Sequence, residues 1–91
     1  MTIYQKAIAK FGAKNQLLKA VEELSELQQA LIKYILNPNK DTLKNVNEEM
    51  ADVEIMTDQL KIILKNQISV GVEKHRKLTR LEGLVNGWPG C

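Results

Sequence analysis

Between Leu43 and Leu64, apolar or small residues recur at alternating threes and fours: Leu43, Val46, Met50, Val53, Thr57, Leu60 and Leu64. That spacing keeps one face of a helix apolar for about six turns and is the pattern of helices packed in a bundle. A chain that spends a quarter of its length on such a helix must supply other helices to cover it. A second stripe, Ala51, Ile55 and Ile62, lies elsewhere on the same wheel, and Met56 and Ile63 fall near the angle of Glu49 and Asp52. A helix that is apolar on several sides is buried on several sides, so this one is expected to face protein or a pocket around much of its circumference.

The rest of the chain reads as three more helices. Ile3, Ala7, Ile8 and Phe11 predict a short first helix over about Thr2 to Phe11, stopped by Gly12. The second begins near Lys14 or Asn15 and carries Leu17, Val21, Leu24, Leu31 and Ile35, joined by Leu18, Leu27, Ile32 and Leu36. Asn37-Pro38-Asn39 ends it, because proline cannot continue the hydrogen-bond ladder and restricts the residue before it. Asp41 is the expected N-cap of the third helix, with Asn45 or Asn47 as alternative starts of its regular part. Asn66 to Ser69 reads as a break with Ser69 as a cap. The fourth helix follows to about Val85, with Leu78, Leu81 and Val85 facing inward and residues 86–91 as a short tail. No strand pattern, linker or low-complexity segment interrupts this plan. The expectation is one all-α domain over residues 1–91, a four-helix bundle.

Composition narrows the function. A net charge of +2 gives no electrostatic footprint for nucleic acid. No apolar run approaches the ~20 residues needed to span a bilayer, and Lys6 and Lys10 interrupt the N-terminus, so neither a signal peptide nor an anchor is expected. The single cysteine, Cys91, excludes an internal disulfide and agrees with a cytoplasmic location.

The chemistry sits in two boxes of one layout. Glu22-Glu23-Leu24-Ser25-Glu26 lies in the second helix and Glu48-Glu49-Met50-Ala51-Asp52 in the third. At ~100° per residue, the three acids of each box fall within an arc of about 100°. Glu22 with Glu26, and Glu48 with Asp52, are like charges four apart, which weaken a helix by a few tenths of a kcal/mol. No Lys or Arg follows any of these acids at three or four residues. Only Lys19 and Lys44 come within reach from the N-terminal side. Carboxylates are hard oxygen ligands, and Glu23 with Glu26 and Glu49 with Asp52 each project together at i,i+3. Antiparallel packing of the two helices would set the pairs opposite one another around a cation. A lone E-E-x-x-E reads as a solvated acidic face; the matched second box on a helix apolar on several sides brings the metal-site reading level with that one.

Other chemistries find little footing. A carboxylate-bridged di-iron bundle needs Glu-x-x-His elements, and His75, the one histidine, lies in neither box and reads as a surface residue. Ser25, Ser69 and Cys91 have no His-acid partner nearby in sequence, and no glycine-rich phosphate loop is present. On the fourth helix Lys77 and Arg80 share a face. They could hold phosphate oxygens beside a metal, or belong to a solvated basic face with Lys74, Arg76, Glu73 and Glu82.

E-E-x-x-E followed, after a gap, by E-x-x-D resembles the all-α nucleoside triphosphate pyrophosphohydrolases, the MazG-like family. The matching residues are Glu22, Glu23 and Glu26, then Glu49 and Asp52. Asn15-Gln16-Leu17 leading into Lys19-Ala20-Val21, and Lys77-Leu78-Thr79-Arg80-Leu81, resemble the small phage and bacterial members, so the likeness runs from about Phe11 to Leu84. The resemblance implies Mg²⁺-dependent cleavage of a nucleoside triphosphate to the monophosphate and pyrophosphate, with Mn²⁺ as a substitute. It implies Glu23, Glu26, Glu49 and Asp52 as metal ligands and Glu22 as the group that orients or deprotonates the attacking water. Lys77 and Arg80 would take the substrate phosphates, and Glu48 would stand behind the ligands. Phosphoribosyl-ATP pyrophosphohydrolases share the acidic motifs but carry a Tyr-His pair soon after the second motif's aspartate; here Asp52 is followed by Val53-Glu54-Ile55-Met56, which disfavours that reading.

Met56, Ile55, Ile62 and Ile63 exceed what a lone domain of 91 residues readily covers, so a homo-oligomer is expected, a dimer or a tetramer built from dimers. In such an assembly Arg80 or Trp88 of one subunit could approach another's pocket. The competing function is a non-catalytic helical interaction module that associates through its stripes and makes no use of the acids.

Overall fold

The computed structural model describes residues 1–87, and these form four helices with no strand among them. Helix α1 spans Ile3–Phe11, α2 Ala13–Leu36, α3 Lys40–Leu64 and α4 Gln67–Asn86. The expected tail residues from Trp88 onward lie outside the described residues.

Local chemistry sets each boundary. Thr2 and Gln5 form a capping box at the start of α1 through hydrogen bonds of 3.2 and 2.8 Å. Gly12, at φ 91°, closes α1 and opens α2 by itself, a backbone conformation that side chains rarely adopt. Asn39, rather than the expected Asp41, caps α3: its Oδ1 accepts from the Asp41 and Thr42 amides at 2.9 Å each, while its own amide donates to Thr42 Oγ1. Asp41 instead lies in the first turn, where its charge meets the helix dipole favourably. Helix α4 starts two residues before the expected Ser69 cap, with Asn66 at the cap position and Lys65 left-handed at φ 52° closing α3.

Helices α2 and α3 form an antiparallel pair in constant register: Gln16 meets Gln59, Glu23 meets Asp52, and Glu26 meets Glu49. On α2 the inward residues are Gln16, Ala20, Glu23, Leu27, Ala30 and Tyr34, all buried or half-buried. Ala20 and Ala30 allow the backbones to approach closely. On α3 the inward residues are Val46, Glu49, Val53, Met56, Leu60 and Ile63. This face is turned by roughly 50° from the stripe expected from sequence, and Leu43, Met50 and Leu64 stay exposed. Burial of Val46 and Met56 contributes roughly 1.5–3 kcal/mol each. Helix α1 lies across the pair, with Tyr4, Ala7 and Ile8 half-buried and the Tyr4 hydroxyl 3.5 Å from Asp58 Oδ2.

Two expectations are corrected here. Leu78, Leu81 and Val85 do not face inward: α4 makes hardly any contact with the other helices, and these three side chains are exposed. Met56 is not part of an outer apolar surface but belongs to the core, with Ile63 half-buried beside it. Among the described residues, the buried hydrophobic side chains are only Ala20, Ala30, Val46 and Met56. The chain measures 49 × 38 × 19 Å, a plate with a slender interior.

Candidate metal centre

Helical phase and antiparallel register together bring the two acidic boxes to one groove. Oxygens of Glu22, Glu23 and Glu26 lie within 4.8 Å of one another, and so do oxygens of Glu23, Glu49 and Asp52. Glu23 belongs to both groups and is buried, Glu26 and Glu49 are half-buried, and Glu22 and Asp52 are exposed. Glu48 points to solvent, 4.0 Å from Lys44 Nζ, and takes no part in either group.

The electrostatics of the groove are incompletely balanced. Lys19 Nζ is 3.1 Å from Glu23 Oε1 and 3.7 Å from Glu22 Oε1, and these contacts, with the Glu23 hydrogen bond foremost, raise the lysine pKa. Glu23 Oε2 and Glu49 Oε2 are both buried with no hydrogen-bond partner. A carboxylate oxygen held away from water without a donor is a destabilising arrangement. Loss of solvent, and then the charges of Glu23 and Glu49, push the Glu26 carboxyl above its ordinary value. A divalent cation among these oxygens would satisfy both orphaned atoms and reverse the repulsion. The donor set is all oxygen, which suits Mg²⁺ or Mn²⁺ and offers none of the nitrogen or sulfur favoured by zinc.

Two features of the groove are absent from the sequence reading. An amide pair, Gln16 Nε2 donating to Gln59 Oε1 at 2.7 Å, is buried between α2 and α3 about two helical turns from Glu23 and Asp52, and Gln59 Nε2 approaches Met56 Sδ at 3.8 Å. Because a thioether only accepts, the Gln59 amide must aim its nitrogen at Met56 and its oxygen at Gln16. An open cleft of about 330 Å³, lined by Phe11, Gln16, Lys19 and Met56, adjoins the carboxylates through Lys19. The phase of Gln16 and Gln59 with the inward residues was the available signal for the amide pair. The cleft brings Phe11 of α1, Gln16 and Lys19 of α2 and Met56 of α3 together, a meeting of three helices that periodicity within each helix does not reveal.

Lys77 and Arg80 stand on α4, outside this groove. Neither forms an ion pair with an acid of either box among the described residues, and Lys77 instead lines a separate open cleft of about 630 Å³ along α4. No helix is long and apolar enough to cross a membrane among the described residues.

Compared with known proteins, the chain matches no family model, no curated protein and no solved structure.

Proposed function

We propose that the chain is a Mg²⁺-dependent nucleoside triphosphate pyrophosphohydrolase, releasing a nucleoside monophosphate and pyrophosphate. The observation that carries this reading is the convergence of Glu22, Glu23, Glu26, Glu49 and Asp52 in one groove, with two of their oxygens buried and unpartnered. The likeness of both acidic boxes to those of the MazG-like enzymes supplies the reaction class.

Glu23, Glu26, Glu49 and Asp52 are the residues that would hold the cation. When bound, it neutralises phosphate charge, polarises the phosphorus centre and makes water a usable nucleophile at neutral pH. Lys19 fixes the Glu23 carboxylate by pairing with one of its oxygens, leaving the other directed to the site. Glu22 is exposed at the groove's edge, close to Glu23 and Glu26, where it can orient a water molecule and accept its proton. The cleft of Phe11 and Met56 gives an apolar wall for the nucleoside end of the substrate. Phosphate contacts from Lys77 and Arg80 require α4, of this chain or a neighbouring one, to approach the groove.

The many exposed apolar side chains favour a second reading, a helical module whose role is association alone. Pyrophosphate release from a panel of common and modified nucleoside triphosphates, with and without Mg²⁺, separates the two. The enzyme reading expects Mg²⁺-dependent release that falls steeply in Glu23→Gln, Glu26→Gln, Glu49→Gln and Asp52→Asn, each checked for retained helicity. Full activity in those variants, or none in the wild type on the whole panel, would reject it.

A further inference from the structure

Lys19 belongs to both halves of the groove. It lines the cleft of about 330 Å³ beside Phe11, Gln16 and Met56, and its Nζ lies 3.1 Å from Glu23 Oε1 and 3.7 Å from Glu22 Oε1. Among the described residues, no other side chain both lines that cleft and pairs with a carboxylate of the two acidic groups. Spacing within α2 accounts for this position. Gln16, Lys19 and Glu23 stand three and four apart and form one column, which runs beside Met56 and Asp52 of α3. Lys19 precedes Glu23 in that column by ~6 Å of helix axis, a distance that a triphosphate chain can span.

The ammonium keeps binding capacity in reserve. It carries three N–H donors, and the contact with Glu23 Oε1 uses one of them. Glu22 Oε1, at 3.7 Å, lies beyond hydrogen-bond reach and contributes its charge alone. The lysine side chain is 48% exposed, so its other donors are open to a ligand, while Glu23, at 7%, is held inside. The hydrogen bond to Glu23, then the charges of Glu22 and Glu23, raise the lysine pKa and keep it cationic at neutral pH. An anion entering the groove meets five carboxylates, and Lys19 is the one described cation paired among them. Lys77 and Arg80 pair with none of these acids. The cation already in place for a phosphate is therefore Lys19.

We propose that Lys19 binds the substrate directly, taking the phosphate next to the sugar, between the nucleoside cleft and the cation held by the carboxylates. This assignment rests on the pyrophosphohydrolase reading of the groove and adds an order along the α2–α3 seam. The nucleoside lies against Phe11 and Met56, the first phosphate meets Lys19, and the rest of the chain extends toward Glu23 and Asp52. Lys19 thereby distinguishes a nucleotide from a nucleoside at the point where the two halves of the ligand join. Its bond to Glu23 serves the same end, since it fixes the ammonium at that junction before any ligand arrives.

Calorimetric titration of the intact chain with α,β-imido analogues of the common nucleoside triphosphates, in Mg²⁺, tests the assignment. Lys19→Gln should weaken analogue binding about tenfold or more. Lys19→Arg, which keeps the charge, should lose less. Mg²⁺ alone should still raise the melting temperature of the wild type and of both variants. Unchanged analogue binding in Lys19→Gln overturns the proposal. So does loss of the Mg²⁺ response in that variant, because Lys19 would then act only through Glu23. A wild type that binds no analogue rejects the pyrophosphohydrolase reading itself, and this assignment with it. If Lys19→Gln does not fold, the wild type decides through the rate of Lys19 acetylation, read by mass spectrometry. Mg²⁺ with an analogue that binds should slow that reaction, and Mg²⁺ with its parent nucleoside should not. Equal rates in the two mixtures overturn the proposal.

Discussion

Glu23 offers one carboxylate oxygen to Lys19 at 3.1 Å and keeps the other buried with no partner. Half of this side chain is thus satisfied by the protein, and half awaits a donor or a cation. If a cation supplies the missing partner, millimolar Mg²⁺ or Mn²⁺ raises the melting temperature. At a hundredfold excess over Kd the gain is about 2.7 kcal/mol, or on the order of 10 °C for a domain of this size. Glu23→Gln should remove most of the rise while the metal-free variant melts no lower than the wild type, because the substitution relieves repulsion. A differential scanning measurement with no metal response in a folded sample counts against the site.

The raised Glu26 pKa fixes the sign of a pH effect. A carboxyl whose folded pKa lies above its unfolded value of 4.5 binds its proton more tightly in the folded state. Its stabilisation is complete below 4.5 and is lost as pH rises through the raised folded value. Metal-free protein should therefore melt lower as pH climbs through that window, less steeply in Glu26→Gln and with Mg²⁺ present. A Glu26→Gln curve superimposable on the wild type would show that Glu26 is not the source.

The buried amide pair predicts a non-additive cycle. Gln59→Leu leaves Gln16 Nε2 without its 2.7 Å acceptor and should cost about 1–3 kcal/mol. The double change Gln16→Leu with Gln59→Leu removes both polar groups and should recover much of that loss. Urea denaturation of the four proteins measures it; simple additivity would mean that the pair carries no coupling.

Asn39, with two amides on its side-chain oxygen, should behave as the α3 cap. Asn39→Ala is expected to cost about 1 kcal/mol, and Asp41→Ala only the few tenths of a helix-dipole contact. Equal losses in thermal melts would return the cap to Asp41.

That pair of residues shows where the sequence was legible. Both are good caps by composition, and the choice between them turns on a one-turn geometry involving Thr42 that spacing does not reveal. Helix number and the Gly12 and Pro38 breaks follow from periodicity and backbone chemistry. So does the convergence of the acids, since a constant antiparallel register places Glu26 opposite Glu49 once two helices with matched boxes are joined by a short link. The phase of α3 was misread because apolar character alone chose Leu43 and Met50 as inward. In the fold, Glu49 and Met56 take the interior, and those two side chains are left on the outer face. The same habit assigned Leu78 and Leu81 to a core that α4 does not join. Apolar spacing identifies a face that needs cover, and it is silent on whether the cover comes from the same chain.

Glu23 and Leu24 are neighbours in sequence, yet Glu23 is buried at the carboxylate groove and Leu24 is exposed on the adjoining face of α2. Insertion or deletion of one residue in α2 ahead of Glu22 would rotate every later position by about 100° relative to the residues before it. If the preceding turns kept their packing, an insertion would carry Glu23 to the direction Leu24 now takes, and a deletion would carry Leu24 to the direction of Glu23. The number of residues between Gly12 and Pro38 should therefore tolerate change far less than their identities, and the spacing of α2 becomes a quantity under constraint in its own right.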